Sequence, residues 1–192
     1  FKKLYNLKPD THTLILIGGR GSGKTYSVSQ FIAFQTSVNK QRTVIVRDEK
    51  SLIKESILNE IWARYDTANA NGMLDKECIK NETELKDRKT GETILYTKGF
   101  RASSNAKTAG LKGASSIKYA VIEEAEDIRD VEKYNTFVDS LRTEGCLIII
   151  MLNTPDIGFW LVKRYFNTVQ VTDGYYELMP KDLPGIEVIQ AS

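Results

Sequence analysis

The 192-residue chain predicts an α/β fold with a mostly parallel central sheet. Three observations carry that prediction. Short apolar runs alternate with helix-patterned stretches. One run, Cys146 to Leu152, has no charged or hydroxyl side chain, which places it mid-sheet with both faces covered. A glycine-rich loop lies where the first apolar run passes into the first helix-patterned stretch.

The elements follow in order. Thr13 to Ile17 is a short buried strand. Lys24 to about Val38 is a helix, with Val28, Phe31, Ile32 and Val38 as its apolar positions. Arg42 to Arg47 is a second strand, bounded by charge. Ser51 to Tyr65 is helical by pattern, with Leu52, Ile53, Ile57, Leu58, Ile61 and Trp62 on one side and Ser51 as its N-cap. Cys78 to Asn81, Glu84 to Asp87 and Thr93 to Thr97 are short alternating pieces split by turns. They read as a β-hairpin or meander insertion around 77–98. Ile117 to Ile122 is a strand that ends in acids. Asp130 to Leu141 is a helix opening on an acidic residue, and Gly145 to Leu152 is the long apolar strand. Ile157 to Phe166 is a short helix, and Tyr175 to Met179 and Ile186 to Ile189 close the chain as strands.

Composition excludes several chemistries. The single histidine, His12, rules out a His-rich zinc site, and any Ser–His–Asp mechanism in which His12 is not the base. His12 itself reads as an ordinary residue at a strand edge. Cys78 and Cys146 form no CxxC pair, and two sparse thiols fit a reducing cytoplasm. No apolar run approaches the length of a membrane span, and no signal peptide is visible. The 27 basic and 25 acidic side chains leave a net charge of +2. That small total conceals a local excess. Between Thr93 and Ile122 stand Lys98, Arg101, Lys107, Lys112 and Lys118 with no acid among them. The stretch reads either as a surface loop, as a phosphate-contacting segment, or as the source of a cation for a neighbouring subunit's nucleotide.

The most specific motif is Gly18-Gly19-Arg20-Gly21-Ser22-Gly23-Lys24-Thr25, which fits G-x-x-x-x-G-K-[ST] between a strand and a helix. Glycines let successive N–H groups turn inward onto phosphate oxygens, and the helix N-terminus adds its positive end. Lys24 would reach the β and γ phosphates of ATP, and the Thr25 hydroxyl would ligate Mg²⁺. Arg20 either folds onto the γ phosphate or an opposing acid, or stays solvated. At the end of Lys118-Tyr119-Ala120-Val121-Ile122 stand Glu123 and Glu124. Glu123 would be the metal-side acid and Glu124 the base that deprotonates water; the alternative is a solvated acidic cluster, since Glu126, Asp127, Asp130 and Glu132 follow closely. Asn153 follows the apolar strand. Beside the phosphate-loop strand it would face the γ phosphate or the attacking water, while Asn153-Thr154-Pro155 alone also reads as a turn. Phe1 and Tyr5 are the aromatic candidates for stacking on the base.

Together these residues resemble the ATPase domain of the large terminase subunit of tailed bacteriophages. Four segments carry the resemblance: the arginine-bearing phosphate loop 18–25; Val121-Ile122-Glu123-Glu124-Ala125; Leu111-Lys112-Gly113; and Asn153-Thr154-Pro155 with Trp160 and Lys163-Arg164-Tyr165-Phe166. It spans about Leu14 to Ile189. It implies a P-loop NTPase fold of the additional-strand type and ATP hydrolysis that drives double-stranded DNA into a procapsid. It also implies a homo-oligomeric ring of five subunits on the portal protein, with a small terminase subunit as partner. The setting implied is the host cytoplasm, docked transiently on the procapsid. Lys112 occupies the slot of a finger supplied in trans. Lysine lacks the planar fork of arginine, and Arg101 is a rival. The family carries a C-terminal nuclease, which this 1–192 chain, beginning at Phe1 and read as a single motor domain, is expected to lack. The alternatives are a helicase-like or other ring-forming P-loop ATPase and a nucleotide kinase. The kinase would need an arginine-rich lid that the sequence does not show. A fourth, non-enzymatic alternative is a nucleotide-gated assembly protein with a crippled site.

Overall fold

The computed structural model describes residues 2–73, 78–100, 116–141 and 143–191. Strand β1 (Thr13–Gly18) leads through the glycine loop into helix α1 (Lys24–Ser37). Strand β2 (Thr43–Arg47), a 3₁₀ segment (Lys50–Ile53) and helix α2 (Ile57–Ala70) follow. Strands β3 (Cys78–Lys80), β4 (Glu84–Asp87) and β5 (Thr93–Gly99) form an antiparallel meander. Strand β6 (Tyr119–Ile122) runs into a 3₁₀ turn (Ala125–Asp127) and helix α3 (Val131–Ser140). Strand β7 (Leu147–Leu152), helix α4 (Trp160–Tyr165) and strands β8 (Phe166–Thr172), β9 (Tyr175–Pro180) and β10 (Ile186–Ala191) complete the chain.

The main sheet has the order β10-β1-β7-β6-β2-β5-β4-β3. Pairing is parallel from β10 to β5 and antiparallel beyond it. Strand β7 therefore separates the phosphate-loop strand from the acid-bearing strand, as the additional-strand class requires. All six of its residues are buried. Alternate residues feed two cores. Leu14 and Leu16 join Val28, Phe31, Ile32, Leu58 and Ile61 of α1 and α2. Ile15 and Ile17 join Phe137 of α3 and Leu161 and Val162 of α4 on the other face. Burial on both faces is why β1, β2 and β7 read as continuous apolar runs rather than alternating ones. The meander expected around 77–98 is present, and it is continuous with the main sheet because β5 pairs with β2. Among the described residues no helix is long and apolar enough to cross a membrane.

Several boundaries differ from the sequence expectation, among them the end of α2, which runs past Tyr65 to Ala70. Ser51 does not cap a helix, and α2 begins only at Ile57. The Leu52 carbonyl accepts from Arg47 Nη1 at 3.2 Å, and the same Nη1 donates to Ser56 Oγ at 3.1 Å, so the chain at 50–56 is fitted to the Arg47 side chain. The helix expected from Ile157 starts at Trp160. The Asp156 carboxylate accepts the Gly158 N–H at 2.6 Å, an Asx turn that competes with helix there. Phe166 leaves that helix to open β8, which pairs with β9 in a separate two-stranded sheet. Six of the seven β8 residues are exposed, so β8 lacks the apolar run that marks a buried strand.

Candidate active site

Strand register builds the site. Ile17 pairs with Leu152, so Gly18 and Asn153 leave neighbouring strands side by side. Ile122 pairs with Ile150 on one flank and Val46 on the other. Glu123 and Arg47 therefore emerge at the same edge, where parallel strands of an α/β sheet present their C-terminal ends. A cleft of about 450 Å³ lies over this edge, lined among others by Arg20, Lys24, Thr25, Glu123, Glu124 and Asn153. The glycines at 21 to 23 line it too, with Ser22 between them.

The loop conformation depends on glycine at three places, one being Gly21 at φ 78°. Gly23, the residue before α1, has φ 79°, a left-handed conformation costly for other residues, and no side chain caps the helix. The first-turn N–H groups of α1 thus face the cleft uncapped by any side chain, a disposition suited to anions. At Gly18 an added Cβ would lie 2.2 Å from the Ala191 carbonyl oxygen, so the β1–β10 pairing tolerates no side chain there.

Lys24 is buried, and its ammonium lies across the loop mouth. It donates to the Gly18 carbonyl at 2.7 Å, the Gly19 carbonyl at 2.9 Å, Ser22 Oγ at 3.1 Å and Asn153 Oδ1 at 3.3 Å. Burial pulls its pKa below the usual lysine value, and the Glu126 carboxylate opposes that shift. Arg20 is exposed on the loop at the cleft wall.

The two acids differ. Glu123 is buried, accepts from Ser56 Oγ at 2.6 Å, and lies 3.9 Å from Arg47 Nη1. Burial pushes its pKa up to about 7, against hydrogen bonds from Ser56 and the Ile57 N–H and the charge of Arg47. Glu124 is half-buried and forms an ion pair with Arg47 Nη2. Its backbone is left-handed at φ 46°, unusual for a residue with a side chain. That turn redirects the chain from β6 into the 3₁₀ segment and sets the carboxylate beside Arg47. Strain of this kind concentrates at functional sites.

Among the described residues no group of three or more His, Cys, Asp or Glu is arranged to hold a metal ion. The donors present still fit Mg²⁺. That ion keeps most of its waters and takes one or two protein oxygens plus substrate phosphates. Thr25 and Glu123, a hydroxyl and a carboxylate in one cleft, are such a set.

Several residues in or behind the cleft lining escape sequence reading. Arg47, Ser56 and Glu126 contact the acids or Asn153. Tyr26, Glu60 and Arg64 line the opposite wall, where Arg64 stacks 4.1 Å over the Tyr26 ring and pairs with Glu60 at 3.0 Å. The i, i+4 spacing of Glu60 and Arg64 was the available signal. Tyr5 is not among the residues lining the cleft; its ring packs edge-on against Phe31. Phe1, Arg101, Lys107, Lys112 and the rest of 101–115 lie outside the described residues. Trp160 donates to the Ile128 carbonyl at 2.7 Å and Arg164 donates to Asn135 Oδ1 at 3.0 Å, which fastens α4 to the turn after the acids and to α3.

Residues 10–182 match the family model described as phage terminase large subunit. No match was found among curated proteins. Among solved structures, the chain is similar to a mutant of the large terminase ATPase domain of Thermus phage P74-26. The TM-score is 0.67 at 13% identity, over 99% of this chain and 79% of that one. It is similar to the N-terminal domain of the DNA packaging ATPase from bacteriophage phi29, with TM-score 0.54 and 18% identity over 95% of each chain. A chain of the bacteriophage Phi-29 viral genome packaging motor assembly gives TM-score 0.55 and 15% identity, over 92% of this chain and 55% of that one. At these identities the structural likeness is one of fold.

Proposed function

The chain belongs to the phage terminase large-subunit family, and on that premise we propose that it hydrolyses ATP to drive double-stranded viral DNA into a procapsid. One observation carries the reading. The aligned ends of β1, β7 and β6 bring Lys24, Asn153, Glu123 and Glu124 around a single cleft.

In this reading the loop N–H groups of Gly21 to Lys24 and the α1 N-terminus bind the phosphates. Lys24 exchanges its present acceptors, the Gly18 and Gly19 carbonyls, for β and γ oxygens. Thr25 and Glu123 would hold Mg²⁺, which would supply charge neutralisation to the phosphates. Glu124 takes the proton of the attacking water. Arg20, on the rim, adds a cation near the γ phosphate. Asn153 stands between Lys24 and the acid-bearing turn. Lys112 or Arg101 acts on a neighbour's nucleotide.

The partners follow the same premise. One fold neighbour is a packaging motor assembly, which supports action within an oligomeric assembly; the homo-oligomeric ring of five subunits on the portal protein, with a small terminase subunit alongside, follows from the family resemblance. The site of action is the host cytoplasm, at the procapsid. The test is equilibrium binding and turnover of Mg-ATP by Lys24→Ala and Glu124→Gln. Loss of binding in the first, and retained binding without turnover in the second, support the reading. Unchanged hydrolysis in both contradicts it.

A further inference from the structure

Glu126 sits in the 3₁₀ turn Ala125–Asp127, two residues after the strained Glu124. Its carboxylate grips a single residue of another strand end. Oε2 accepts the Asn153 backbone N–H at 3.2 Å, and Oε1 accepts from Asn153 Nδ2. The remaining amide atom, Oδ1, accepts from Lys24 Nζ at 3.3 Å. The chemistry of these partners leaves one amide orientation. A carboxylate only accepts and an ammonium only donates, so Nδ2 must face Glu126 and Oδ1 must face Lys24.

We propose that Glu126 is a positioning residue that holds Asn153 with its amide oxygen, rather than its amide nitrogen, turned into the cleft. The consequence is specific, and it rests on the ATPase reading above. Held this way, Asn153 accepts hydrogen bonds from Lys24 or from the attacking water. It is not poised to donate to a γ-phosphate oxygen, because its NH₂ group is turned toward Glu126 and away from Lys24. The same contact joins two strand ends. The turn that carries Glu126 leaves β6 through Glu124, so movement of the Glu124 backbone is transmitted to Asn153 and from there to Lys24.

A double-mutant cycle tests this. Glu126→Ala is expected to lower ATP turnover about tenfold, the usual cost of losing a charged group that orients a functional side chain. ATP affinity should change less than about twofold, since Glu126 is hydrogen-bonded to Lys24 only through Asn153 and the loop N–H groups are unaltered. In an Asn153→Ala background the same substitution should cause no further loss. Glu126→Gln, which keeps one acceptor and the packing volume, should fall between the two. Equal losses in both backgrounds, or a lowered melting temperature with turnover unchanged, would overturn the proposal. A second readout needs no activity. The two Nδ2 protons of Asn153 should give a well-dispersed amide pair by ¹⁵N NMR that collapses toward the random-coil position in Glu126→Ala. An unaltered pair would overturn the proposal. Absence of ATP hydrolysis by the wild-type chain in its assembled ring would instead contradict the ATPase reading, and with it the consequence drawn for turnover, while the amide resonance still reports the contact.

Discussion

Arg47, at the end of β2, forms an ion pair with Glu124 and lies 3.9 Å from Glu123. One guanidinium thus serves both acids of the cleft and also donates to the Leu52 carbonyl and Ser56 Oγ. Its fork-shaped donor set is what permits this, and lysine could not replace it. Arg47→Ala is expected to destabilise the domain by about 2 kcal/mol. That is less than the loss of a fully buried partner because Glu124 is partly exposed. It should also depress turnover, since both acids lose their common anchor. Arg47→Lys should restore only part of each. Thermal unfolding and steady-state hydrolysis on the three proteins check it, and wild-type values for Arg47→Ala would refute it.

The raised pKa of Glu123 gives a pH signature with a definite sign. Its folded value of about 7 lies above the ordinary carboxylate value of 4.5. The folded state therefore binds more protons than the unfolded chain between those values, and this group's contribution to stability falls as pH rises across that window. Mg²⁺ binding needs the ionised form, so Mg²⁺ affinity with nucleotide should strengthen as pH rises through 7. Glu123→Gln should weaken Mg²⁺ affinity and remove that pH dependence. Titrations of Mg²⁺ at pH 6 and 8 decide it; an identical pH response in Glu123→Gln would contradict the assignment.

Gly18 and Gly23 should respond differently to alanine. At Gly18 the new Cβ meets the Ala191 carbonyl oxygen at 2.2 Å and its carbon at 3.0 Å. Backbone cannot yield as a flexible side chain does, so a loss of about 2–3 kcal/mol is expected, with β10 displaced from β1. At Gly23 the left-handed backbone, φ 79°, itself costs about 1 kcal/mol for a residue with a side chain, and the damage should appear in nucleotide affinity. Urea unfolding and ATP binding on both variants separate these effects. Equal stability of Gly18→Ala and wild type would show that the β1–β10 contact is not as described.

Much of this was legible in the sequence, for identifiable reasons. The phosphate loop is contiguous, so Lys24 and Thr25 can be read from spacing. Glu123 and Glu124 end an apolar strand, and β7 declares its central place by carrying only apolar side chains. What escaped depends on pairing between distant segments. Arg47 meets Glu124 across 77 positions, and Ser56 meets Glu123 across 67. Nothing local marks either. Glu126 looked like one acid in a solvated cluster until β7 placed Asn153 beside it. Strand β8 was hidden by exposure, although Asp173-Gly174, with Gly174 at φ 72°, is a hairpin-turn signal.

The central claim is that the cleft at the ends of β1, β7 and β6 hydrolyses ATP with Glu124 as base. Single-turnover hydrolysis of bound Mg-ATP by the wild-type protein and Glu124→Gln, assembled as the ring, tests it most directly. The predicted result is nucleotide affinity equal within about twofold and a rate at least about 100-fold lower in the variant. Equal hydrolysis rates in the two proteins would contradict it.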